Sequence, residues 1–215
     1  MKSNKLMRTY DFWSSFYDTF NNPLIPIEEM VVRSLLRTIE FENVLDAATG
    51  TGRHAIYLAQ QGKHVSAIDF NEKMLSRAKE KASLNGLTLD FRLEDLTALS
   101  YSDNTFDLVI CALALAHVEN LEIPFREFVR VLRPGGHLIV TDLHPFVQEE
   151  LGPDHHWEIV EGQEPVFFPN YHTSVDDYLI GMEMNGSKTI AVLDIPMKLN
   201  DELFPGCLLI WALKP

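Results

Sequence analysis

The sequence lacks the features that would place the protein in a membrane, in an oxidising compartment or on nucleic acid. Only two of its 215 residues are cysteines, Cys111 and Cys207, and they lie far apart with no metal-ligand spacing. We therefore expect two buried thiols, no metal site and a reducing compartment. No apolar run approaches the roughly 18 residues of a membrane span, and the first ten residues contain no apolar signal core. The formal net charge is -13 without any basic stripe, so we expect a cytoplasmic protein, monomeric or homodimeric, with a small-molecule partner and no nucleic-acid partner.

What the sequence does contain is enough apolar material for one sizeable core. Hydrophobic residues make up 46% of the chain, and no internal repeat or low-complexity tract is visible. A chain of this length and composition needs no second domain to fold. We expect a single domain over residues 1–215, with an N-terminal helical cap over 1–42. Residues 143–172 contain four prolines and four histidines and are expected to form a loop-rich insertion near the substrate site.

Short apolar runs alternate with longer amphipathic stretches, which is typical of βαβ units in a parallel sheet. The predicted parallel strands cover residues 44–47, 64–69, 88–93, 106–111 and 137–142. Two further strands, 189–195 and 207–213, are separated by too few residues for a helical crossover and predict an antiparallel hairpin at one sheet edge. The predicted fold class is therefore α/β, a doubly wound, mostly parallel seven-stranded sheet with an antiparallel edge hairpin.

Helices are predicted between these strands and before the first of them. The spacing of Phe12, Phe16 and Phe20 indicates one, and residues 27–40 indicate another with Pro26 at its first position. Glycines and an asparagine N-cap set the bounds of the next two. In chain order, the remaining predicted helices run from Arg53 to Gly62, from after Asn71 to Gly86, over 124–133 and over 175–184.

The stretch VLDAATGTGRHA, residues 44–55, reads as a strand, a glycine-rich turn and a helix start. Its GTGRHA part fits the dinucleotide fingerprint G-x-G-x-x-G/A, and Asp69 ends the next strand where a ribose-binding acid belongs. Alone, this match fits equally well a turn whose glycines serve only local geometry. Asp46 separates the possible cofactors, because a carboxylate four residues before Gly50 would repel a pyrophosphate and attract a cation. S-adenosylmethionine is such a cation without phosphate, and an NAD(P)-dependent oxidoreductase is the alternative.

Four motifs in order resemble the class I S-adenosylmethionine-dependent methyltransferases, especially the small-molecule branch that includes ubiquinone and menaquinone biosynthesis enzymes. They lie within residues 10–142 and read VLDAATGTG, GKHVSAIDFNEKMLSRAKEKA, FRLEDLTALSYSDNTFDLVICALALAHV and FVRVLRPGGHLIVTD. The resemblance implies a Rossmann-like methyltransferase fold and S-adenosylmethionine as cofactor, with S-adenosylhomocysteine as product. It also implies in-line methyl transfer to O, N or C of a small molecule.

The same resemblance implies roles for individual residues. Asp69 would accept hydrogen bonds from the ribose hydroxyls, while Asp95 and the Leu96 backbone would contact adenine. Phe70 and Met74 would flank the adenosine. The remaining implied cofactor contacts are Asp46, Ala48, Gly50, Thr51, Gly52, Cys111 and Ala112.

Several structural alternatives stay open at this point. Asp95 would equally serve as a helix N-cap and Asp69 as a solvated strand end. Ala48 stands where the family usually has its first glycine, and we expect it to have a negative φ. A non-catalytic S-adenosylmethionine-binding module is a further alternative, because methyl transfer has no obligatory catalytic signature.

Two histidines are the candidates for a general base, which is needed only if the acceptor arrives protonated. They are His117, just past the fourth strand, and His144, after the fifth. Either of them would also serve as a packing or capping residue at a strand end. The substrate or lid candidates are Tyr10, Trp13, Tyr17 and His172; we expect the first three to face the ligand while Phe12, Phe16 and Phe20 pack inward.

Overall fold

The computed structural model describes residues 4–151, 171, 174–199 and 201–215. Seven strands within these residues form one sheet. In chain order they are β1 (Asn43–Ala47), β2 (His64–Asp69), β3 (Asp90–Leu93), β4 (Phe106–Ala112), β5 (Leu132–Leu143), β6 (Lys188–Leu199) and β7 (Glu202–Leu213).

The strand order is β3-β2-β1-β4-β5-β7-β6, and the pairs among β1 to β5 are parallel. The next strand in the sheet, β7, runs antiparallel to both β5 and β6. From β1, the next strands along the chain, β2 and β3, lie on one side of it, and β4 and β5 lie on the other side. Ligands of open α/β sheets bind where the strand order changes direction in this way. The predicted fold class is therefore confirmed, including the antiparallel hairpin at one edge.

The helices lie between the strands and before the first of them. They are α1 (Asn4–Trp13), α2 (Leu24–Leu36), α3 (Arg53–Gln60), α4 (Glu72–Leu84), α5 (Glu122–Val131), α6 (Pro145–Leu151) and α7 (Val175–Met184), with a 3₁₀ turn at Leu115–His117. The N-cap prediction for Asn71 is confirmed, because its side chain accepts a hydrogen bond from the Met74 backbone N–H at 3.0 Å. Gly62 and Gly86 follow α3 and α4 with positive φ, as the predicted helix stops require.

Both faces of the sheet are covered by apolar side chains. Successive residues of β1 point to opposite sides, so that Leu45 joins a cluster with Phe125 and Tyr178 while Val44 joins another with Val32. This burial on both faces explains why the central strands are almost continuously hydrophobic. Among the described residues, no helix is long and apolar enough to cross a membrane.

Several predicted bounds were wrong. β3 begins at Asp90 instead of 88, and α5 ends at Val131 because the chain is already extended at Leu132, where β5 begins. Pro26 is the third residue of α2 and not the first; it is still within the first turn, where a missing N–H breaks no helical hydrogen bond. The segment predicted as loop-rich contains the helix α6, and residues 152–170 and 172–173 of that segment lie outside the described residues.

The N-terminal aromatic segment also differs from the prediction. Its helix ends at Trp13, and the chain continues in turns to residue 20. Phe12 was expected to pack inward, but its side chain is 37% exposed and contacts Phe16 at 5.0 Å between ring centroids. Two hydrogen bonds between side chains fix the segment to the sheet layer: Asn71 Nδ2 donates to Asp11 at 2.9 Å, and Thr51 donates to Asp18 at 2.6 Å.

Candidate active site

A cavity of about 580 Å³ opens at the carboxyl ends of the parallel strands, which is within the usual range for small-molecule sites. Ten of the twelve predicted cofactor residues line it: Asp46, Ala48, Gly50, Thr51, Asp69, Phe70, Met74, Asp95, Leu96 and Ala112. The other two, Gly52 and Cys111, lie outside the lining. A Cβ on Gly52 would come 2.9 Å from the Cβ of Ala78, so this glycine serves the close approach of α3 and α4. Cys111 is fully buried within the sheet.

Asp46 follows the sequence prediction in position but has an additional structural role. Its side chain is 2% exposed, and Oδ2 accepts hydrogen bonds from the Thr49 hydroxyl at 2.6 Å and the Ala55 backbone N–H at 2.9 Å. The second bond satisfies an N–H in the first turn of α3. Burial raises the pKa of Asp46 above its ordinary value, and the neighbouring His54 and Arg53 oppose that rise. Asp46 therefore joins β1 to α3 and also places a carboxylate at the cavity.

Asp69 at the end of β2 is not a solvated strand end, which was one of the open alternatives. It is 5% exposed; its Oδ2 accepts from the Gly50 N–H at 2.8 Å, and its Oδ1 accepts from the Asn71 N–H at 2.8 Å. A carboxylate has about four acceptor positions, so one oxygen can accept from more than one donor. Asp69 thus fixes the glycine-rich turn to the start of α4 while lining the cavity.

Asp95 caps a turn and not a helix, so the helix N-cap alternative is wrong, and its contact with adenine stays a prediction. Its Oδ1 accepts from the Thr97 backbone N–H at 3.0 Å and the Thr97 hydroxyl at 2.7 Å, so it caps the turn after β3. The same side chain lines the cavity next to Leu96. Three carboxylates, those of Asp46, Asp69 and Asp95, therefore stand at the ends of the adjacent strands β1, β2 and β3 around one cavity.

Two non-glycine residues with left-handed backbone also line the cavity. Ala48 after β1 has φ +61°, so the expectation of a negative φ was wrong, and Leu113 after β4 has φ +54°. A left-handed residue with a Cβ costs roughly 1–2 kcal/mol. Both residues directly follow a strand, so the strain lies where the chain turns at the cavity.

Of the three aromatic residues expected to face the ligand, Tyr10 and Tyr17 line the cavity. Trp13 does not; it packs against Tyr17 and Phe20 at 5.1 and 6.0 Å between ring centroids. Burial raises the pKa of Tyr10 well above its ordinary value, so its hydroxyl stays protonated. Its ring contacts that of Phe70 edge to face at 5.6 Å, and both residues line the cavity.

The predicted histidines separate into three cases. His117, at the end of the 3₁₀ turn, lines the cavity and lies 6.1 Å from the Tyr10 ring centroid. His144 lies elsewhere: its Nε2 is 3.1 Å from Asp194 of β6, and its Nδ1 accepts from the Phe146 N–H. His144 is therefore a helix cap at the edge hairpin and does not line this cavity; its catalytic role stays a prediction. His172 lies outside the described residues.

A buried charged network beneath the cavity was missed in the sequence. Glu28 of α2 is fully buried and accepts hydrogen bonds from Arg53, from His54 at 3.1 Å and from the Thr141 hydroxyl at 2.8 Å. Burial alone would raise the pKa of Glu28, but His54 and Arg53 outweigh it and lower that pKa to about 2. The only available signal was a lone acid on the apolar face of a predicted helix, whose partners are distant in sequence.

The geometry can be compared with known proteins. Residues 45–140 match the family model described as "Methyltransferase domain". The chain is 32% identical over 150 residues to demethylmenaquinone methyltransferase of Bacteroides fragilis, a match that covers 66% of this chain and 61% of that protein. A putative S-adenosylmethionine-dependent methyltransferase from Listeria monocytogenes has the same fold, with a TM-score of 0.70 over 89% of this chain and 99% of that one at 22% identity.

Residues 45–140 are thus similar to methyltransferase domains, and the similarity to the Listeria monocytogenes protein is one of fold. A further relative, phosphoethanolamine N-methyltransferase 1 of Triticum aestivum, is 32% identical over 102 residues, which cover 47% of this chain and 20% of that protein. The chain thus spans about three fifths of the Bacteroides fragilis relative, and the match is confined to part of each sequence.

The charge of the cavity suits S-adenosylmethionine better than a dinucleotide. Its described lining contains four acids, Asp46, Asp69, Asp95 and Glu119, and one arginine or lysine, Arg53. Arg53 is already paired with the buried Glu28. A pyrophosphate would therefore meet net negative charge, whereas a sulfonium and an ammonium would be attracted. The described residues contain no group of three or more metal-ligating side chains.

Proposed function

We propose that this protein transfers a methyl group from S-adenosylmethionine to O, N or C of a small-molecule acceptor. The observation that carries the proposal is the row of three carboxylates at the ends of β1, β2 and β3 around one cavity. Carboxylates in this arrangement suit a ligand with a cationic end, two ribose hydroxyls and an adenine amine. The family match over residues 45–140 supports the same activity.

Five of the lining residues have a proposed task in this mechanism. Asp69 would accept from the ribose hydroxyls, Asp95 and Leu96 would hold adenine, and Asp46 would face the cationic end. S-adenosylmethionine supplies an already activated methyl group on a positively charged sulfur. The protein therefore has to align the acceptor and exclude water, and Tyr10 is placed to do so from α1.

His117 is the candidate base for an acceptor that arrives protonated. It lines the cavity from the 3₁₀ turn, on the side opposite β2. In the transfer, an electron pair of the acceptor would form the new bond to the methyl carbon, and the carbon–sulfur electron pair would stay on sulfur. The acceptor's proton would then pass to an imidazole nitrogen of His117.

The charge of the cavity also favours one kind of acceptor. An acceptor bearing a phosphate, such as that in the name of the Triticum aestivum relative, would need a free cation, and the arginine in the described lining is already paired. A neutral ring compound meets no such obstacle among Tyr10, Val118 and Ile123. Demethylmenaquinone, named in the Bacteroides fragilis relative, is therefore the first acceptor to test.

A methyl-transfer assay tests this proposal. The purified protein is incubated with methyl-labelled S-adenosylmethionine and either demethylmenaquinone or phosphoethanolamine, and S-adenosylhomocysteine and labelled product are measured by mass spectrometry. We expect transfer to the neutral acceptor and a large loss in Asp69→Asn. The matched control is Asp103→Asn, an exposed aspartate that pairs with Arg130 on the surface. Equal activity of Asp69→Asn and the control would contradict the assigned role of Asp69.

The cellular setting is a further part of the proposal. Both cysteines are free and buried, which supports a cytoplasmic enzyme, because an oxidising compartment does not favour unpaired thiols. The hydrogen bonds of Asp11 and Asp18 to the sheet layer support residues 1–42 as a cap on a single domain. We also propose that the protein works as a monomer or homodimer without nucleic acid.

A further inference from the structure

A buried carboxylate lies directly beneath the acceptor side of the cavity but does not line it. Asp142, at the carboxyl end of β5, is 3% exposed. Its Oδ2 accepts from the Ala116 backbone N–H at 2.7 Å and from the Tyr178 hydroxyl at 3.2 Å, and its Oδ1 accepts from the Leu143 N–H at 2.9 Å. One side chain therefore joins β5, α7 and the 3₁₀ turn.

The 3₁₀ turn carries the wall that an acceptor would touch. His117 and Val118 line the cavity. Ala116 comes directly before them in the chain, and both its N–H and its carbonyl are hydrogen-bonded. Its N–H donates to Asp142, and its carbonyl accepts from the Tyr171 N–H at 2.9 Å. Moving Ala116 would consequently move His117, which is the next residue along the chain.

A purely structural role does not account well for an acid at this position. Burial raises the pKa of Asp142 to about 6, while the hydrogen bonds from Ala116, Leu143 and Tyr178 oppose that rise. Near neutral pH the group is therefore a buried carboxylate, which is costly where an apolar side chain would pack. The carboxylate fixes its donors more firmly than a neutral group would, because an ionised acceptor makes shorter and stronger hydrogen bonds.

We propose that Asp142 is a positioning residue, whose carboxylate holds the 3₁₀ turn so that His117 and Val118 face the methyl acceptor. The assignment of the acceptor to this wall rests on the proposed function, whereas the hold on the turn does not. Leu113, at the start of this loop, has a left-handed backbone, so the loop needs an external anchor to keep its shape. Asp142 supplies that anchor from the neighbouring strand.

Three variants separate positioning from general stability. Asp142→Ala removes every acceptor atom, and Asp142→Asn keeps one acceptor oxygen in the same volume. Tyr178→Phe is the matched control, since it removes one hydrogen bond to Asp142 but leaves the bond from Ala116 intact. Asp142→Leu replaces the alanine variant if that protein does not fold.

The first readout is hydrogen exchange of the Ala116 amide by NMR, which needs no ligand. We expect at least tenfold faster exchange in Asp142→Ala, an intermediate value in Asp142→Asn, and less than a threefold change in Tyr178→Phe. Unchanged exchange in the alanine or leucine variant would overturn the proposal. If neither of these two variants folds, the proposal is also overturned, because the carboxylate would then be essential to the core.

The second readout separates acceptor alignment from cofactor binding. We expect Kd for S-adenosylhomocysteine, measured by calorimetry, to change less than threefold in Asp142→Ala, while kcat for methyl transfer falls at least a hundredfold and the asparagine variant recovers part of it. Parallel losses of cofactor affinity and kcat would contradict positioning. If the unmodified protein bound no S-adenosylhomocysteine, the proposed function would fail, and the Ala116 exchange result would still decide whether Asp142 holds the turn.

Discussion

The network of Glu28 makes a prediction about stability that the structure allows us to quantify. Glu28→Gln removes the negative charge from a site with no solvent exposure, where Arg53, His54 and Thr141 all donate to it. The amide keeps one acceptor oxygen and the same volume. Arg53 then loses its closer acid partner and keeps only Glu29 at 3.9 Å, and breaking one partner out of a buried charge pair is strongly destabilising.

The contribution of Glu28 to folding stability follows from its pKa, which is lowered from 4.5 to about 2 in the folded protein. At about 1.36 kcal/mol per pH unit, this difference corresponds to roughly 3 kcal/mol of stability at pH 7. Because the folded pKa is depressed, the contribution is complete above the unfolded pKa and is lost as pH falls toward 2. By the same relation, roughly 1.4 kcal/mol should be left at pH 3.

The assay is urea unfolding followed by circular dichroism and tryptophan fluorescence at pH 7, 4 and 3. We expect Glu28→Gln to lose about 3–5 kcal/mol at pH 7, and the gap to the unmodified protein to be less than half as large at pH 3. The control is Glu80→Gln on α4, whose exposed side chain pairs with Arg77 at 3.6 Å and whose loss should stay within about 0.5–1 kcal/mol. A loss below 1 kcal/mol at pH 7, or a gap that does not change with pH, would refute the reasoning.

Three further substitutions test the cofactor side of the cavity. Asp69→Ala should weaken S-adenosylhomocysteine binding in calorimetry by about 1.5–3 kcal/mol and also lower the urea midpoint, because two buried backbone N–H groups lose their acceptor; unchanged affinity would leave the residue only a structural role. Gly52→Ala should destabilise more than Gly50→Ala in the same unfolding assay, since both have positive φ but only a Cβ at Gly52 meets a neighbour, and equal losses would count against that packing. Ala48→Gly should leave stability unchanged or raise it by up to about 1 kcal/mol, because the left-handed strain at φ +61° is relieved; a clear loss would show that the methyl group packs favourably.

The parallel sheet and much of the cofactor side could be predicted because their signals are local. Each strand is a short apolar run, and carboxyl ends of parallel strands meet at one edge. This is why Asp46, Asp69 and Asp95, which are distant in sequence, were correctly expected to line one site. Their structural tasks could not be predicted, since the donors to each acid depend on how tightly the following turn closes.

The sequence predictions failed for features that depend on contacts between residues distant in the chain. Thr141 lies 113 residues from Glu28, so no local pattern shows that this acid is buried and satisfied. Periodicity placed Phe12 and Phe16 on one helix face, but the helix ends at Trp13 and the face does not continue. Ala48 adopts a glycine-like backbone because the hydrogen bonds around Thr49 and Asp46 determine the turn despite the cost of a Cβ.

The most direct test of the central claim is a ligand comparison by calorimetry and thermal unfolding. The purified protein is titrated with S-adenosylmethionine, S-adenosylhomocysteine, NAD and NADP under identical conditions. We predict that the first two bind and raise the melting temperature, since a ligand that binds only the folded state stabilises it. The two dinucleotides should do neither, because the acids that line the cavity oppose a pyrophosphate. Binding and stabilisation by NAD or NADP, without any response to S-adenosylhomocysteine, would contradict the account.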